Sequence, residues 1–90
     1  MDLSSKFAIK PNVMARQVGE ETVILDVASG TYFGVDPVGT RIWELIGEDK
    51  TLAEIYEVML KEYDVPREDL ERDTINLIEH LLAKELISAS

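Results

Sequence analysis

The sequence has two parts, the first with the residue spacing of β-strands and the second with that of α-helices, and this order limits the possible folds. In the first part, residues 13–18 and 22–27 are rich in β-branched and apolar types, and the second run alternates with a period of two. Residues 19 and 20 supply a hairpin turn between the runs. Gly30 can adopt the positive φ that closes a second hairpin before Thr31–Val35. This pattern predicts a three-stranded antiparallel sheet.

The second part contains three segments with helical spacing. Asp36, followed by proline, predicts the start of the first helix, and Gly47 predicts its end. Thr51 and Glu54 have the spacing of a capping box for the second helix. Pro66 separates the second helix from the third, whose first turns carry acidic residues that suit the helix dipole. The apolar positions with helical spacing are Val38, Ile42, Leu45 and Ile46, then Leu52, Ile55, Tyr56, Met59 and Tyr63, then Leu70, Ile75, Leu77, Ile78, Leu81 and Leu82.

Three strands followed by three helices is an order that a winged helix-turn-helix permits. We therefore predict an α+β fold of this class, with a three-stranded antiparallel sheet followed by three helices. Residues 86–87 are expected to add a short terminal strand. A chain of 90 residues forms one domain with one modest core, so we expect a single domain over residues 1–90. Within it, about residues 1–9 are expected to form a flexible N-terminus.

The chain is acidic, with 18 Asp and Glu against nine Lys and Arg and a formal net charge of −9. Such a surface favours neutral or basic partners and repels anionic membranes, although acidity also simply keeps a domain soluble. The sequence has no signal-peptide pattern and no apolar run approaching the roughly 18 residues of a membrane span. It has no cysteine, which excludes disulfides and thiolate catalysis and is compatible with a reducing cytosol. We expect a cytoplasmic protein without a membrane partner.

The charge of the third helix region opposes DNA binding, the strongest alternative that the fold alone suggests. A recognition helix meets phosphates with Lys or Arg. Here acids outnumber bases by six to three, so we expect no nucleic-acid partner. The acids are Glu68, Asp69, Glu71, Asp73, Glu79 and Glu85, and the bases are Arg67, Arg72 and Lys84.

No group of residues predicts catalysis. His80 is the only histidine, it falls on the polar side of the last helix, and no nucleophile is near it in the sequence. Asp69, Asp73 and His80 could line up along one helix as metal ligands, but a solvated acidic face explains them better. The glycines between residues 30 and 39 match neither phosphate-loop motif. We expect neither enzymatic activity nor a cofactor or metal.

An interaction surface remains, and the third strand is the best candidate for it. The open edge of a sheet can accept a peptide as an added strand, which takes affinity from backbone bonds and specificity from side-chain pockets. On Thr31–Val35, Tyr32 and Gly34 face one side and the other three residues face the opposite side. Gly34 lets a ligand approach closely. The alternative, favoured by the residues alone, is that Tyr32 and Phe33 are core residues under a surface loop.

The same residues resemble a known family. Residues 23–36, VILDVASGTYFGVD, are similar to the strand, small turn and second strand of PqqD-like proteins. Residues 37–45, PVGTRIWEL, resemble the "vG..iW.ll" helix of that family, and residues 51–55 resemble its second helix. The segment from Leu70-Glu71-Arg72-Asp73 through Leu77 and Leu81 to residues 86–87 is similar to its third helix and end. The resemblance covers about residues 10–88.

The resemblance implies a RiPP recognition element, where RiPPs are ribosomally made and post-translationally modified peptides. Such a protein binds the leader segment of a precursor peptide as a strand added to its third strand, in the groove beside its third helix. The residues that this implies are Thr31, Tyr32, Phe33, Gly34 and Val35 on the strand and Asp69, Arg72, Asp73, Asn76, Leu77 and His80 on the helix, with Leu77 equally suited to the core.

The form "LD.asG.Yf..d.vG..iW" looks more like the stand-alone recognition proteins of lasso-peptide pathways than the pyrroloquinoline quinone assembly protein, whose "PE…LN" stretch is missing here. The implied partners are the precursor peptide, a separate leader peptidase and an ATP-dependent cyclase. Leaders of this group usually offer a tyrosine and a proline. Alternatives are a peptide chaperone of the quinone or another RiPP pathway, a non-catalytic interaction module, and a subunit of an enzyme whose catalytic groups lie on another chain.

Overall fold

The computed structural model describes residues 1–90 and contains five strands and three helices. It confirms the α+β class with a three-stranded antiparallel sheet and three helices, an arrangement compatible with a winged helix-turn-helix. None of the helices is long and apolar enough to cross a membrane. In chain order the elements are β1 (Phe7–Ile9), β2 (Val13–Val18), β3 (Glu21–Asp26), β4 (Thr31–Val35), α1 (Pro37–Gly47), α2 (Leu52–Glu62), α3 (Arg67–Ala83) and β5 (Ile87–Ala89).

Strands β2, β3 and β4 form the three-stranded sheet in that order, so β2 and β4 are its two edges. Gly19 and Gly30 lie in the two hairpin turns with φ of 66° and 73°, as the sequence predicted. On β3, Thr22 and Ile24 face the helices and are only 4% and 0% exposed. Because side chains alternate along a strand, Val23 and the residues level with it face away from the core.

The helix starts follow the predicted caps, but the first helix ends later than predicted. The Asp36 carboxylate accepts a 2.7 Å hydrogen bond from the Gly39 N–H. Thr51 and Glu54 form the predicted capping box, with bonds of 3.2 and 2.8 Å. The prediction of Gly47 as the cap of α1 is wrong. Gly47 is still helical, and the chain reverses at Asp49 with φ of 63°, a conformation that short polar residues tolerate.

One cluster of 16 buried apolar residues joins the sheet to the helices. The predicted apolar stripes of all three helices contribute to it, and α1 lies between the sheet and the other helices. From the sheet, only Ile24 and Val35 belong to the cluster, so the end of β4 is fixed against α1 while the rest of the strand reaches the surface.

Strand β1 lies within the stretch that was predicted to be flexible. Phe7 is 4% exposed, and β1 pairs with β5 in a second, two-stranded sheet. The carbonyl groups of Leu3 and Ser5 accept hydrogen bonds of 3.0 and 2.9 Å from N–H groups in the first turn of α2. Such groups have no partner within their own helix. The partner of β1 lies about 80 positions further along the chain, so no local pattern could reveal the pairing.

Candidate functional site

The direction of the backbone hydrogen bonds in the sheet follows from its first hairpin. A two-residue loop makes Val18 and Glu21 a hydrogen-bonded pair, and such pairs alternate along an antiparallel ladder. Residues 21, 23 and 25 of β3 therefore bond to β2, and residues 22, 24 and 26 bond to β4. The 2.9 Å hydrogen bond from the Val27 N–H to the Asn12 carbonyl continues the same alternation.

Strand β4 consequently presents free backbone groups at its open edge. Its register pairs Ile24 with Phe33, so Phe33 and the residues two positions away on either side bond to β3. Tyr32 and Gly34 direct their N–H and C=O groups outward. No element of the chain pairs with this edge, so four groups can receive an added strand.

A groove of about 530 Å³ lies beside this edge, between β4 and α3. Its floor is formed by α1, which packs closely because it has a glycine there: a Cβ on Gly39 would lie 3.0 Å from the Cβ of Val35 and 3.4 Å from Cδ2 of Leu77. Half of the residues that line the groove are apolar. The groove is lined by Phe33, Gly34 and Val35 of β4, Asp36, Val38, Gly39 and Ile42 at the start of α1, and Asp73, Leu77 and His80 of α3.

Two smaller cavities extend the groove at its ends. The first, about 270 Å³, lies toward the connection between α2 and α3 and includes Tyr63 and Pro66. In its wall Thr74 is fully buried, and its hydroxyl group has no hydrogen-bond partner. The second, about 210 Å³, lies at the other end near Thr31 and Lys84.

The two ends of this groove differ in charge. At the α1 end, the groove is lined by the side chain of Asp73 and by Asp36, whose carboxylate caps α1. At the hairpin end, the ammonium group of Lys84 lies 5.8 Å from the centre of the Phe33 ring, within cation–π range. Asp26 lies at the same end, where a 2.8 Å hydrogen bond from the Asn12 amide lowers the pKa of its carboxyl group.

The structure brings most of the residues predicted for the site together along the groove and its two end cavities. Phe33, Gly34, Val35, Asp73, Leu77 and His80 line the groove, while Asp69 and Arg72 line the cavity at one end and Thr31 the cavity at the other.

Three of the predicted residues, Tyr32, Asn76 and Leu77, differ from the rest in how they relate to the groove. Tyr32 is 68% exposed, with its side chain on the opposite face of the sheet, so only its backbone faces the edge. Asn76 is exposed and lines none of these cavities. Leu77 is half-buried, so it packs on the core and also forms a wall of the groove.

Sequence reasoning missed the floor of the groove and part of the lining at its ends, such as Pro66 and Lys84. Val38 and Ile42 have ordinary helical spacing, which does not indicate that they also line the groove. A glycine inside a helical pattern, as at Gly39, is a signal of close packing that could have indicated the floor. Nothing local relates Lys84 to Phe33. No group of three or more His, Asp or Glu side chains is placed to hold a metal ion.

An open strand edge beside a partly apolar groove defines a class of proteins that can take an extended peptide as an added strand. Within this class the chain belongs to the PqqD family: the family model described as "Coenzyme PQQ synthesis protein D (PqqD)" matches residues 21–87. This confirms the resemblance identified in the sequence. No curated protein is significantly similar to the chain.

Two solved structures are similar over nearly the whole chain. One is described as TbiB1 in complex with the TbiA(beta) leader peptide; it is 40% identical, has a TM-score of 0.84, and the match covers 90% of this chain and 94% of that one. The other is lasso peptide synthetase B1 complexed with the leader peptide, at 25% identity and a TM-score of 0.83, covering 92% of this chain and 98% of that one.

Proposed function

We propose that this protein binds the leader segment of a ribosomally synthesised precursor peptide as a fourth strand on β4. It presents the peptide to a separate leader peptidase in lasso-peptide biosynthesis and catalyses no step itself. The observation that carries this proposal is the open edge of β4 beside the groove, with unpaired backbone groups at Tyr32 and Gly34. The two similar structures, both of proteins bound to leader peptides, support it.

Backbone pairing alone gives weak binding. The four outward groups of Tyr32 and Gly34 contribute on the order of 4 kcal/mol in total, at about 1 kcal/mol net for each hydrogen bond. That corresponds to an affinity of only about 1 mM. Backbone pairing also does not distinguish one leader from another, so the leader must place side chains in the groove as well.

The groove and its end cavities supply this selectivity. An apolar leader side chain that becomes buried contributes about 1.5–3 kcal/mol, so two such side chains raise the affinity by several orders of magnitude. The cavity near Tyr63 and Pro66 suits one of them. The resemblance to the lasso group implies that a tyrosine and a proline of the leader fill such places.

Charge adds a second preference. At the end of the groove near Asp36 and Asp73, the carboxylates outnumber the one base, Arg72, which lies 3.6 Å from Asp73. This end favours a basic leader residue, whereas Lys84 favours an acidic or aromatic residue at the other end. These contacts are exposed, so salt should weaken them while leaving the apolar contacts intact.

Binding of the leader explains how a protein without catalytic groups can assist an enzyme. A precursor held next to the leader peptidase reacts at an effective concentration that can reach about 1 mM, far above that of a dilute free peptide. The cyclase of the same pathway is the second recipient of the bound precursor. We place this activity in the cytoplasm, where precursor peptides are synthesised.

The experiment is a titration of the protein with a fluorescently labelled leader peptide of its own precursor, followed by anisotropy. We expect saturable binding that weakens at least about tenfold, or 1.4 kcal/mol, when the leader tyrosine or proline is replaced by alanine. A peptide with the same composition in scrambled order is the control. Absence of binding by protein whose circular dichroism spectrum is that of a folded domain would contradict the proposal.

The family model itself favours a second candidate, a peptide chaperone in coenzyme PQQ synthesis. The same titration separates the two, since the two pathways have different precursor peptides. Tighter binding of a quinone precursor peptide than of a lasso leader would assign the protein to that pathway.

A further inference from the structure

The cavity of about 210 Å³ at the hairpin end of the groove combines apolar residues with polar groups from two elements. Phe33 and the buried Leu86 are its apolar residues. Lys84, at the end of α3, and Thr31, at the start of β4, bring the polar groups. A peptide strand that continues along β4 beyond Tyr32 comes to Thr31 and so reaches this cavity.

The ammonium group of Lys84 has no acidic partner. The chain reverses at its neighbour Glu85, which has φ of 58°, and the Glu85 carboxylate lies 3.8 Å from the ammonium group of Lys10. Lys84 is one of four bases without a salt bridge, although the chain has twice as many acids as bases. Of these four it alone lines the groove or one of its end cavities; the other three are Arg16, Lys50 and Lys61.

The other polar groups of the cavity leave room for a carboxylate from outside. Asp26 is the only acid in the lining, and it accepts a 2.8 Å hydrogen bond from the Asn12 amide instead of pairing with Lys84. The Thr31 hydroxyl group accepts a 3.0 Å hydrogen bond from the Ser29 hydroxyl group, so its own proton remains free to donate. One cation and one hydroxyl donor are thus available, and a carboxylate can accept hydrogen bonds from both.

A charged contact at one end of the groove supplies something that backbone pairing lacks, a fixed register. Backbone groups repeat along a strand every two residues, so a leader that slips by two positions keeps the same hydrogen bonds at Tyr32 and Gly34. A slip would, however, move a leader carboxylate away from Lys84 or place it against apolar residues of the groove, which is costly for a charge.

We propose that Lys84 and Thr31 hold a carboxylate side chain of the leader and thereby fix the register in which the leader lies along β4. This inference rests on the proposed function and adds one feature of the leader, an Asp or Glu next to the segment that pairs with Tyr32 and Gly34. Lys84 is exposed, so its effect on affinity is modest, about three- to fivefold, and acts mainly on the rate of association.

Two variants that lose the same charge test this. Lys84→Gln removes the cation from the cavity. Lys61→Gln removes one elsewhere, since Lys61 lies in the last turn of α2, forms no salt bridge and lines neither the groove nor its end cavities. Lys84→Arg keeps the charge. Each protein is titrated by anisotropy with the labelled leader of its own precursor and with versions in which one Asp or Glu at a time becomes its amide.

We expect Lys84→Gln to raise the Kd of the leader about three- to fivefold at low salt, mainly through slower association, and the difference to disappear in about 1 M salt. Lys84→Arg and Lys61→Gln should bind like the wild type. One of the amide versions should bind the wild type more weakly by the same factor and should no longer respond to Lys84→Gln. A leader in which this acid is moved by two residues should behave like that amide version.

Two results would overturn the inference. If every amide version stays as sensitive to Lys84→Gln as the original leader, Lys84 does not contact a carboxylate and only holds the Phe33 ring in place. If Lys61→Gln weakens binding equally, the effect comes from the overall charge of the protein. Both results leave leader binding by the wild type intact, whereas a wild-type protein that does not bind the leader would overturn the proposed function itself.

Discussion

A proline at position 34 is the sharpest test of strand addition, because it removes a backbone donor at the open edge and leaves the sheet's own bonds in place. The N–H and C=O groups of Gly34 point away from β3, so the ladder between β3 and β4 loses no hydrogen bond. Edge strands tolerate proline where the N–H would face solvent. A side chain at this position also has room, since a Cβ on Gly34 would have no neighbour within 4 Å.

The expected loss of affinity follows from the bond that disappears. The leader loses one hydrogen bond, about 0.5–1.5 kcal/mol, and one of its carbonyl groups is left without a partner, which costs about 1–3 kcal/mol. Taking about 2–3 kcal/mol in total, the Kd of the leader should rise roughly 30- to 150-fold in Gly34→Pro. The free energy of unfolding should change by less than about 1 kcal/mol.

Ala15→Pro is the matched control, because Ala15 occupies the equivalent position on the other edge of the same sheet. It pairs with Ile24, and its N–H also points outward, but it lies on the edge of the sheet away from the groove between β4 and α3. Leader affinity by anisotropy and stability by urea unfolding are measured on both variants. A folded Gly34→Pro protein that binds the leader as tightly as the wild type would refute addition at β4, as would an equal loss of affinity in Ala15→Pro.

Three further results are expected. Gly39→Val should lower the free energy of unfolding by about 1–3 kcal/mol and weaken leader binding, because the added Cβ would crowd the wall of the groove. Gly47→Ala, where a Cβ meets only ordinary contact at 3.5 Å, should change neither quantity. Urea unfolding and anisotropy measure the two effects. Thr51→Ala removes the capping box and should cost about 1 kcal/mol in urea unfolding without changing leader affinity; no loss would mean that the box contributes nothing. The hydrogen bond from Arg41 lowers the pKa of Glu62, so this pair stabilises the fold fully at a pH above the ordinary pKa of 4.5. The contribution disappears as the pH falls through the lowered pKa. Glu62→Gln should flatten this part of the profile of stability against pH, and an unchanged profile would contradict the assignment.

The parts of the fold that the sequence predicted correctly are those determined by near neighbours. Gly19 and Gly30 could be placed in turns because few other residues accept a positive φ, and the box at Thr51 is a signal that spans only four residues. The end of α1 was misplaced for the same reason. A glycine is the usual residue for that reversal, yet Asp49 adopts the left-handed conformation and Gly47 remains in the helix.

The candidate site could be predicted only in part, since it is formed by elements that are distant in the sequence. The strand and the facing positions of α3 followed from the resemblance, and Asp73, Leu77 and His80 lie in the groove. The floor did not, because a half-buried apolar residue such as Val38 has the same spacing whether it faces the core or a groove. The direction of the backbone groups at the edge required the register of the hairpin, which no sequence pattern gives.

The pairing of β1 with β5 has a consequence for the order in which the molecule assembles. Bringing together segments about 80 residues apart costs about 4 kcal/mol of chain entropy, more than a ladder of three residues can supply by itself. We therefore expect this ladder to close late in folding, on a core that already exists, and to be among the first regions to open. Amide hydrogens of residues 7–9 should exchange with solvent sooner than those of β3, so the two ends of the chain separate while the peptide groove is still intact.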